Sequence, residues 1–165
     1  MSRKLEIIQF TDKSMKFFEK MEESLLGSDL VLMLLSLSPV KGTTMLQKQT
    51  FLAWETIFKK QTTDLGFFPY KFGAYSKTID DSLKVLENSG LITIKPAKGE
   101  GVRYSITPSG KRTISKKLKK MDISLDELKE KKLDWDEWTT RGIMKYVYRN
   151  YPEYTTKTKV PSLKW

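Results

Sequence analysis

The chain has 165 residues, of which 39% are hydrophobic, and its 30 Lys and Arg against 20 Asp and Glu give a formal net charge of +10. This length suits a single domain, the apolar content excludes a disordered chain, and the charge indicates either a polyanionic partner or a well-solvated basic surface. The absence of Cys and His excludes disulfides, Cys/His zinc sites and thiol nucleophiles. Because the sequence has no apolar signal core and no run of roughly 20 apolar residues, we expect a soluble, cytoplasmic protein without a membrane partner.

Two helices are predicted before residue 40. The first is amphipathic, ends near Gly27 and carries apolar residues at helical spacing, namely Met15, Phe18, Met21 and Leu25. Ser28 or Asp29 caps the second helix, and its apolar run over residues 30–37 predicts a central place in the core before Pro39 stops it.

A long helix and an aromatic loop are predicted next. The helix follows a loop at residues 40–42, begins at Thr43 or Thr44 and runs to Phe58. Residues 64–75 are interrupted by glycine and proline, which predicts an ordered, partly buried loop. Its aromatic side chains could stack unpaired bases, but their spacing favours packing beneath the helices: Phe67, Phe68, Tyr70, Phe72 and Tyr75.

The periodicity then changes from helix to strand. Ser76 caps a helix with apolar residues at i, i+4 and i+7, which are Ile79, Leu83 and Leu86. Residues 91–95 and 102–106 are rich in β-branched residues or alternate, and residues 96–101 supply turn chemistry between them. This pattern predicts a two-stranded β-hairpin with a flexible tip.

The C-terminal part is predicted to be helical. One helix begins at Pro108, and capping-box spacing predicts two more helix starts, at Ser124 with Glu127 and at Asp134 with Glu137. The dense acids Asp134, Asp136 and Glu137 fit a helix start better than a metal site. Trp135, Trp138 and Tyr146 are expected in the core or in a dimer seam, and residues 154–165 show no periodicity.

Positive charge is concentrated in the hairpin and in the helix after it. Residues 95–121 carry nine basic residues against one acid, a local net charge of +8. On the helix from Pro108, the apolar residues Ile114, Leu118 and Met121 define one side, and most of the cations lie in an arc of roughly 100° on the other. Such a stripe neutralises phosphates, although an ordinary solvated helix face has the same composition.

The order of three helices and a hairpin resembles the winged-helix pattern. Leu91 and Ile92 open the first strand, and the run Tyr104-Ser105-Ile106-Thr107-Pro108-Ser109-Gly110 is similar to the family's Tyr-x-Leu/Ile-Thr-x-x-Gly return. A narrower resemblance is to the YwgA-like group, which is similar to the Panacea antitoxin domain. It rests on the motifs Leu46-Gln47-Lys48, Phe68-Pro69-Tyr70-Lys71-Phe72-Gly73-Ala74-Tyr75-Ser76 and Gly90-Leu91-Ile92 and on the run from Tyr146 to Tyr154. Phe72 and Ala74 depart from that group's pattern, and this resemblance constrains fold more than function.

The resemblance places the helix after Ser76 in the recognition position of a winged helix. Its outward candidates include Lys77, Thr78 and Lys84, but Asp80 and Asp81 do not suit contact with DNA phosphates. Two hypotheses therefore stay open. Either DNA is contacted by the start of this helix and by the wing, or the acidic helix and the aromatic loop engage a protein partner, as in an adaptor or antitoxin-like module.

The sequence therefore predicts an α+β, mainly α, winged helix-turn-helix protein with a two-stranded wing and extra N- and C-terminal helices. We expect an extension over residues 1–27, a winged-helix domain over 28–121, helices over 122–153 and an irregular tail over 154–165. The predicted function is double-stranded DNA binding in transcriptional regulation, with no enzyme activity, cofactor or metal, and with dimerisation through the terminal helices. The predicted contacts are Lys77, Thr78, Lys84, Lys95, Lys98, Arg103, Lys111, Arg112, Lys116, Lys119 and Lys120.

Overall fold

A computed structural model describes residues 24–99 and 101–164, together with Met15. The fold is α+β and mainly helical. Its helices are α1 (Gly27–Leu37), α2 (Thr43–Ala53), α3 (Lys77–Asn88), α4 (Pro108–Met121), α5 (Asp126–Glu137) and α6 (Thr140–Asn150). Its strands are β1 (Val40–Lys41), β2 (Phe68–Tyr70), β3 (Gly73–Tyr75), β4 (Ile92–Pro96) and β5 (Val102–Ile106). A π-helical turn continues α2 (Trp54–Phe58), and two 3-10 turns lie near the C-terminus (Pro152–Tyr154 and Pro161–Lys164).

Helix α1 lies at the centre of the core, as its apolar run predicts. Residues 30–35 are all buried, and α1 packs against α2, α3, α4 and α5. Leu128 of α5 and Val147 of α6 belong to the same apolar cluster as Leu30. The helices after residue 122 therefore share one core with the part predicted as a winged helix. Among the described helices, none is long and apolar enough to cross a membrane.

The start of α1 differs from the prediction. Gly27 is the first residue of α1 rather than the end of an earlier helix, and Leu26 occupies the N-cap position. Asp29 still has a capping role, because its carboxylate accepts a hydrogen bond of 2.7 Å from the Leu26 N–H. Leu25 forms an isolated bridge with Thr62. The rest of the predicted first helix, apart from Met15, lies outside the described residues.

The main sheet is antiparallel, with strand order β1-β5-β4. The hairpin of β4 and β5 is confirmed, and its register pairs Ile92 with Ile106 and Ile94 with Tyr104. Strand β1 lies where the sequence predicts only a loop, and Val40 pairs with Tyr104 on the buried side of the sheet. Two residues are too few to show an alternating pattern, so this strand is defined by its pairing with β5.

The return from the hairpin into α4 follows the predicted motif. The Thr107 hydroxyl caps α4 by accepting a 3.0 Å hydrogen bond from the Gly110 N–H, and it donates to the Gly90 carbonyl at 2.7 Å. A Cβ atom at position 110 would overlap the Leu91 carbonyl oxygen. The glycine of this motif is therefore required by the close approach of α4 to the start of β4.

The aromatic segment is a second hairpin rather than a loop. Strands β2 and β3 pair antiparallel, with Phe68 opposite Tyr75. The prediction of core packing is correct for Phe67, whose ring centroid lies 5.1 Å from that of Phe51 and 5.4 Å from that of Trp54. The prediction is wrong for three aromatic residues that are exposed because the hairpin turns them outward: Phe68, Tyr70 and Phe72.

Both predicted capping boxes in the C-terminal part are wrong. Helix α5 begins at Asp126 with Leu125 as N-cap, so Ser124 lies before the cap, although its hydroxyl accepts from the Asp126 N–H at 3.1 Å. Asp134 and Glu137 lie within α5. Helix α6 is instead capped by Thr139, whose hydroxyl accepts from the Gly142 N–H at 2.9 Å.

Asp136 belongs to a polar network with the buried Lys132 and Gln49 rather than to a helix start. Its carboxylate accepts hydrogen bonds from Lys132 at 2.8 Å, from Ser38 at 2.5 Å and from Gln49 at 3.0 Å. Burial by itself would raise the pKa of Asp136, but these hydrogen bonds outweigh it and lower the pKa. The network ties α5 to α2 and to the end of α1. In the described part of the chain, no three acidic side chains group as a metal site would need.

The tail after residue 154 packs on the protein despite its lack of periodicity. Leu163 is buried with Met144 and Tyr148 of α6. The Lys159 N–H donates a 2.8 Å hydrogen bond to the Lys71 carbonyl, between β2 and β3. The tail thus covers α6 and reaches the second hairpin. Trp135 is buried as expected, whereas Tyr146 is exposed beside Trp138, with ring centroids 5.1 Å apart.

Candidate nucleic-acid interface

All eleven predicted contact residues are exposed. Their side chains are therefore accessible to a large anionic partner. They lie on three elements: the start and middle of α3, the β4–β5 hairpin, and the outer face of α4. The structure places these residues in separate groups, and it adds one cation, Lys41, that the sequence interpretation left out.

Three cations form one row across the sheet. Arg103 on β5 lies directly opposite Lys95 on β4 and opposite Lys41 on β1. Directly opposite residues of antiparallel strands share a face, with Cβ atoms about 4.5–5.5 Å apart. The neighbouring position on the other face carries the buried Tyr104 and Val40, so the three cations point away from the core.

The row lies at the tip end of the hairpin. The Lys41 ammonium donates a 2.9 Å hydrogen bond to the carbonyl of Lys98, whose exposed side chain belongs to the connection between β4 and β5. The backbone of β1 is held there as well, because the Gly42 N–H donates to the Val102 carbonyl at 2.8 Å. Of the ion pairs within the described residues, none involves Lys41, Lys95, Lys98 or Arg103. Four cations are thus concentrated at one end of the sheet.

Lys41 is the residue that sequence reasoning missed. The sequence predicts a loop at residues 40–42, and a single lysine in a loop does not indicate a binding site. The Val40-Lys41 pair indicates a third strand only when it is considered together with the β4–β5 hairpin. A short extended segment can then pair with that hairpin, which carries Lys95 and Arg103. Without the register of β1 on β5, nothing in the sequence places Lys41 beside Arg103.

The outward face of α3 is less acidic than its sequence suggests. At 100° per residue, one stripe of exposed side chains faces away from the buried Ile79, Leu83 and Leu86, and it consists of Lys77, Asp81, Lys84, Val85 and Asn88. Asp80 is only partly exposed and lies to one side of this stripe, beside Tyr75. Burial and then the Asp80 carboxylate raise the pKa of Tyr75. The stripe therefore carries two cations and one acid, and the exposed Glu87 lies beside it, on the same side as Asp80.

The cations of α4 form a separate group. Arg112, Lys116 and Lys119 line one groove of about 510 Å³ along the outer face of the helix. Lys117 lies outside this group, because its ammonium pairs with Asp29 of α1 at 2.5 Å. Arg103 lies at the end of β5 remote from α4, since Lys95 and Arg103 flank the hairpin connection. The structure thus divides the predicted interface into a sheet row and an α4 stripe.

The motif residues that carry the YwgA-like resemblance contact one another. Gln47 of α2 hydrogen-bonds both the N–H and the carbonyl of Ser76, each at 2.9 Å. The buried Lys48 ammonium donates to the Ala74 carbonyl at 2.8 Å. These bonds attach α2 to β3 and to the start of α3, and so they fix where α3 begins.

Comparison with known proteins gives no family model that matches this chain and no curated protein that resembles it.

Proposed function

We propose that this protein binds double-stranded DNA through a winged-helix arrangement and acts as a transcriptional regulator. In this proposal α1, α2 and α3 form the helical part, α3 is the recognition helix and the β4–β5 hairpin is the wing. The single observation that carries the proposal is the row of Lys41, Arg103 and Lys95 across the sheet.

The row destabilises the protein when no polyanion is bound. Like charges directly opposite each other on a sheet repel, and Arg103 lies opposite both Lys41 and Lys95. A polyanion removes this cost, because each phosphate contact neutralises a cation and releases counterions. A surface that is unfavourable alone and favourable with a polyanion supports a nucleic-acid interface over an ordinary solvated face.

Helix α3 supplies the second element of the proposal. Recognition helices contact base edges through their N-terminal residues, and Lys77 and Thr78 are the first two residues of α3, both exposed. Lys84 lies two turns further along the same exposed stripe. Of the two acids that argued against DNA contact by this helix, Asp80 is partly exposed and lies to one side of the stripe, beside Tyr75.

The test is a titration of a labelled duplex at several salt concentrations. The variant Lys41→Gln/Lys95→Gln/Arg103→Gln removes the row. The matched control Lys60→Gln/Lys129→Gln/Lys157→Gln removes three exposed cations from other elements. We expect the first variant to bind more weakly and to flatten the slope of log affinity against log salt by about 2–3, at roughly 0.9 per lost phosphate contact. The control retains the wild-type slope.

The stability of the same variant shows whether the three cations of the row serve binding or hold the fold together. Since the row repels itself, its removal leaves the free energy of unfolding unchanged or raises it by a few tenths of a kcal/mol, within the roughly 0.2–1 kcal/mol of a cross-strand pair. A variant that binds the duplex like wild type, with the same salt slope, contradicts the proposal.

A second candidate function is a protein-binding adaptor, and one observation favours it. Phe68, Tyr70 and Phe72 form an exposed aromatic patch on the second hairpin, and exposed aromatic residues are enriched in protein interfaces. If the wild-type protein binds no duplex at low salt, this function replaces the first. Substitution of Phe68 and Phe72 by Ser then abolishes capture of the partner in a pull-down, and the row variant captures it normally.

A further inference from the structure

A cavity of about 200 Å³ lies between α2 and the second hairpin. A volume below the roughly 300–1,000 Å³ of sites for drug-sized ligands suits a small molecule of about ten non-hydrogen atoms. The lining residues from α2 are Thr43, Thr44, Gln47 and Lys48, and those from the hairpin are Tyr70, Phe72 and Tyr75. None of these residues belongs to the proposed DNA interface.

Lys48 is the unusual residue of this cavity. Its side chain is 2% exposed, and among the described residues its partner is the Ala74 carbonyl, at 2.8 Å. Lys132 provides a comparison within the same protein. It is 1% exposed, but its ammonium has the Asp136 carboxylate at 2.8 Å and the Ser38 hydroxyl at 2.6 Å. Buried charges are normally paired, and an ammonium has three donors. Lys48 thus has the capacity to hold an anionic group that the protein itself does not supply.

The start of α2 favours negative charge in the same place. Gly42 occupies the N-cap position and provides no side-chain cap, so Thr43 and Thr44 open the helix with main-chain N–H groups that have no helical acceptor. These groups form the positive end of the helix dipole. Because both threonines line the cavity with Lys48, two independent sources of positive potential act on one small volume.

The opposite wall is aromatic. Tyr70 is 39% exposed and Phe72 is 43% exposed, and the rings of Tyr70 and Tyr75 lie 5.0 Å apart between centroids. Flat rings of this kind offer contact area to a planar apolar body. Gly73 allows β3 to approach Tyr148 of α6 and Lys48 of α2 closely. A Cβ atom at this position would lie 2.8 Å from Cε1 of Tyr148 and 3.6 Å from Cε of Lys48.

We infer that this cavity binds a small aromatic carboxylic acid, with the carboxylate held by Lys48 and the start of α2 and the ring held by Tyr70 and Phe72. The inference goes beyond DNA binding, and it is tested with the protein alone. Failure to bind DNA would leave it intact.

The ionisation of Lys48 makes binding depend on pH. Burial lowers the pKa of Lys48 to about 7, so the ammonium that a carboxylate needs is lost as the pH rises above 7. The other titratable groups near the cavity are Tyr70, Tyr75 and Tyr148 and, beside Tyr75, Asp80. Burial raises the pKa values of Tyr75 and Tyr148 above their ordinary 10, so these two phenols stay neutral between pH 7 and 9.

The experiment is an NMR titration of the full chain with benzoate, phenylacetate and the neutral isostere benzamide at pH 7, 8 and 9. We expect the carboxylates to shift the amide signals of Thr43, Thr44 and the second hairpin. Their affinity falls about fivefold from pH 7 to 8 and about tenfold from pH 8 to 9. The fall has this size because the fraction of protonated Lys48 decreases by these factors when its pKa is about 7. Benzamide binds at least tenfold more weakly and without this pH dependence.

Two variants and a control complete the test. Lys48→Met abolishes both the carboxylate preference and the pH dependence, whereas Lys129→Met, which removes an exposed lysine of α5, changes neither. Tyr70→Ala/Phe72→Ala alters exposed walls only, so it keeps the fold even if Lys48→Met does not, and it weakens binding at least fivefold. The inference is overturned if neither carboxylate shifts the signals at this cavity, if affinity is equal at pH 7 and 9, or if the wall variant binds like wild type.

Discussion

Gln47 binds the main chain of Ser76 through both ends of its side-chain amide. Its Nε2 donates to the Ser76 carbonyl and its Oε1 accepts from the Ser76 N–H, each at 2.9 Å, and both residues are buried. The Ser76 hydroxyl in turn caps α3 by accepting from the Ile79 N–H at 3.2 Å. One amide therefore fixes the position at which the proposed recognition helix begins.

Replacement of Gln47 by Leu is expected to destabilise the protein by about 1–3 kcal/mol. The change leaves the buried Ser76 N–H without a partner, which costs about that much, whereas the Ser76 carbonyl keeps the hydrogen bond from the Asp80 N–H. Urea denaturation measures the loss. The control is Gln61→Leu, because Gln61 is exposed and its hydrogen bonds to the described residues are made by its main chain, with Leu25 and Phe58. Equal stability of the two variants would contradict the structural role of Gln47.

Gly110→Ala tests the close approach of α4 to β4. The new methyl group would overlap the Leu91 carbonyl oxygen and crowd the Ile106 side chain, so the hairpin or α4 must shift. We expect a loss of roughly 1–3 kcal/mol or more, as for other overpacked sites, seen as a lower melting temperature. Ser109→Ala, at the exposed neighbouring position of α4, should change stability by less than about 0.5 kcal/mol.

Lys48 should make stability rise with pH above neutrality. Its ordinary pKa of 10.5 applies to the unfolded chain, and burial lowers it to about 7 in the folded protein. Between these two values the unfolded chain holds the extra proton, so raising the pH favours folding by up to about 1.4 kcal/mol per pH unit. Urea denaturation of wild type and Lys48→Met at pH 7, 8 and 9 isolates this contribution, because all other groups cancel. Parallel curves for the two proteins would refute the assignment.

Asp136→Ala should cost about 1–3 kcal/mol, because the buried Lys132 ammonium loses its carboxylate and keeps only the Ser38 hydroxyl among its described side-chain partners. Lys132→Met/Asp136→Ala should recover most of this loss, since no buried charge remains. The lowered pKa of Asp136 also has a pH signature. Its stabilisation is complete above its ordinary value of 3.8 and is lost as the pH falls through the lower folded value. A double variant as unstable as the single one would show that the ion pair is not what Asp136 contributes.

The α4 stripe can be tested separately from the sheet row. Arg112→Gln/Lys116→Gln removes two cations that line one groove, and Lys129→Gln/Lys157→Gln removes two exposed cations elsewhere. If α4 contacts DNA phosphates, the first variant flattens the salt slope by about 2 and the second does not. If only the row variant changes the salt slope, the interface is restricted to the β4–β5 hairpin, β1 and α3.

Sequence patterns were most informative where the deciding contacts are local. The caps at Ser76 and Thr107 were predictable because each hydroxyl binds an N–H three residues ahead. The same spacing misled at Asp134 and Glu137, where a capping-box pattern occurs inside a helix and Thr139 provides the real cap of α6. A pattern of two residues cannot distinguish these cases, because the start of a helix also depends on where the preceding helix ends.

The aromatic segment shows the limit of composition. Phe67 and Phe72 are the same residue type five positions apart, yet Phe67 packs on Trp54 and Phe72 is 43% exposed. The pairing of β2 with β3 decides which side chains face outward. Alternation over three-residue strands is too short to be recognised in the sequence.

The sequence by itself determined the long helices, the β4–β5 hairpin, its return into α4 and the excess of positive charge over residues 95–121, because these depend on neighbours within a few positions. Only the tertiary structure decided that Lys41 joins Lys95 and Arg103 in one row, and that Lys48 is buried at a cavity. Lys41 contacts Lys98, 57 residues away, and Lys48 contacts Ala74, 26 residues away. Strand register and burial arise from such distant contacts, which no local periodicity encodes.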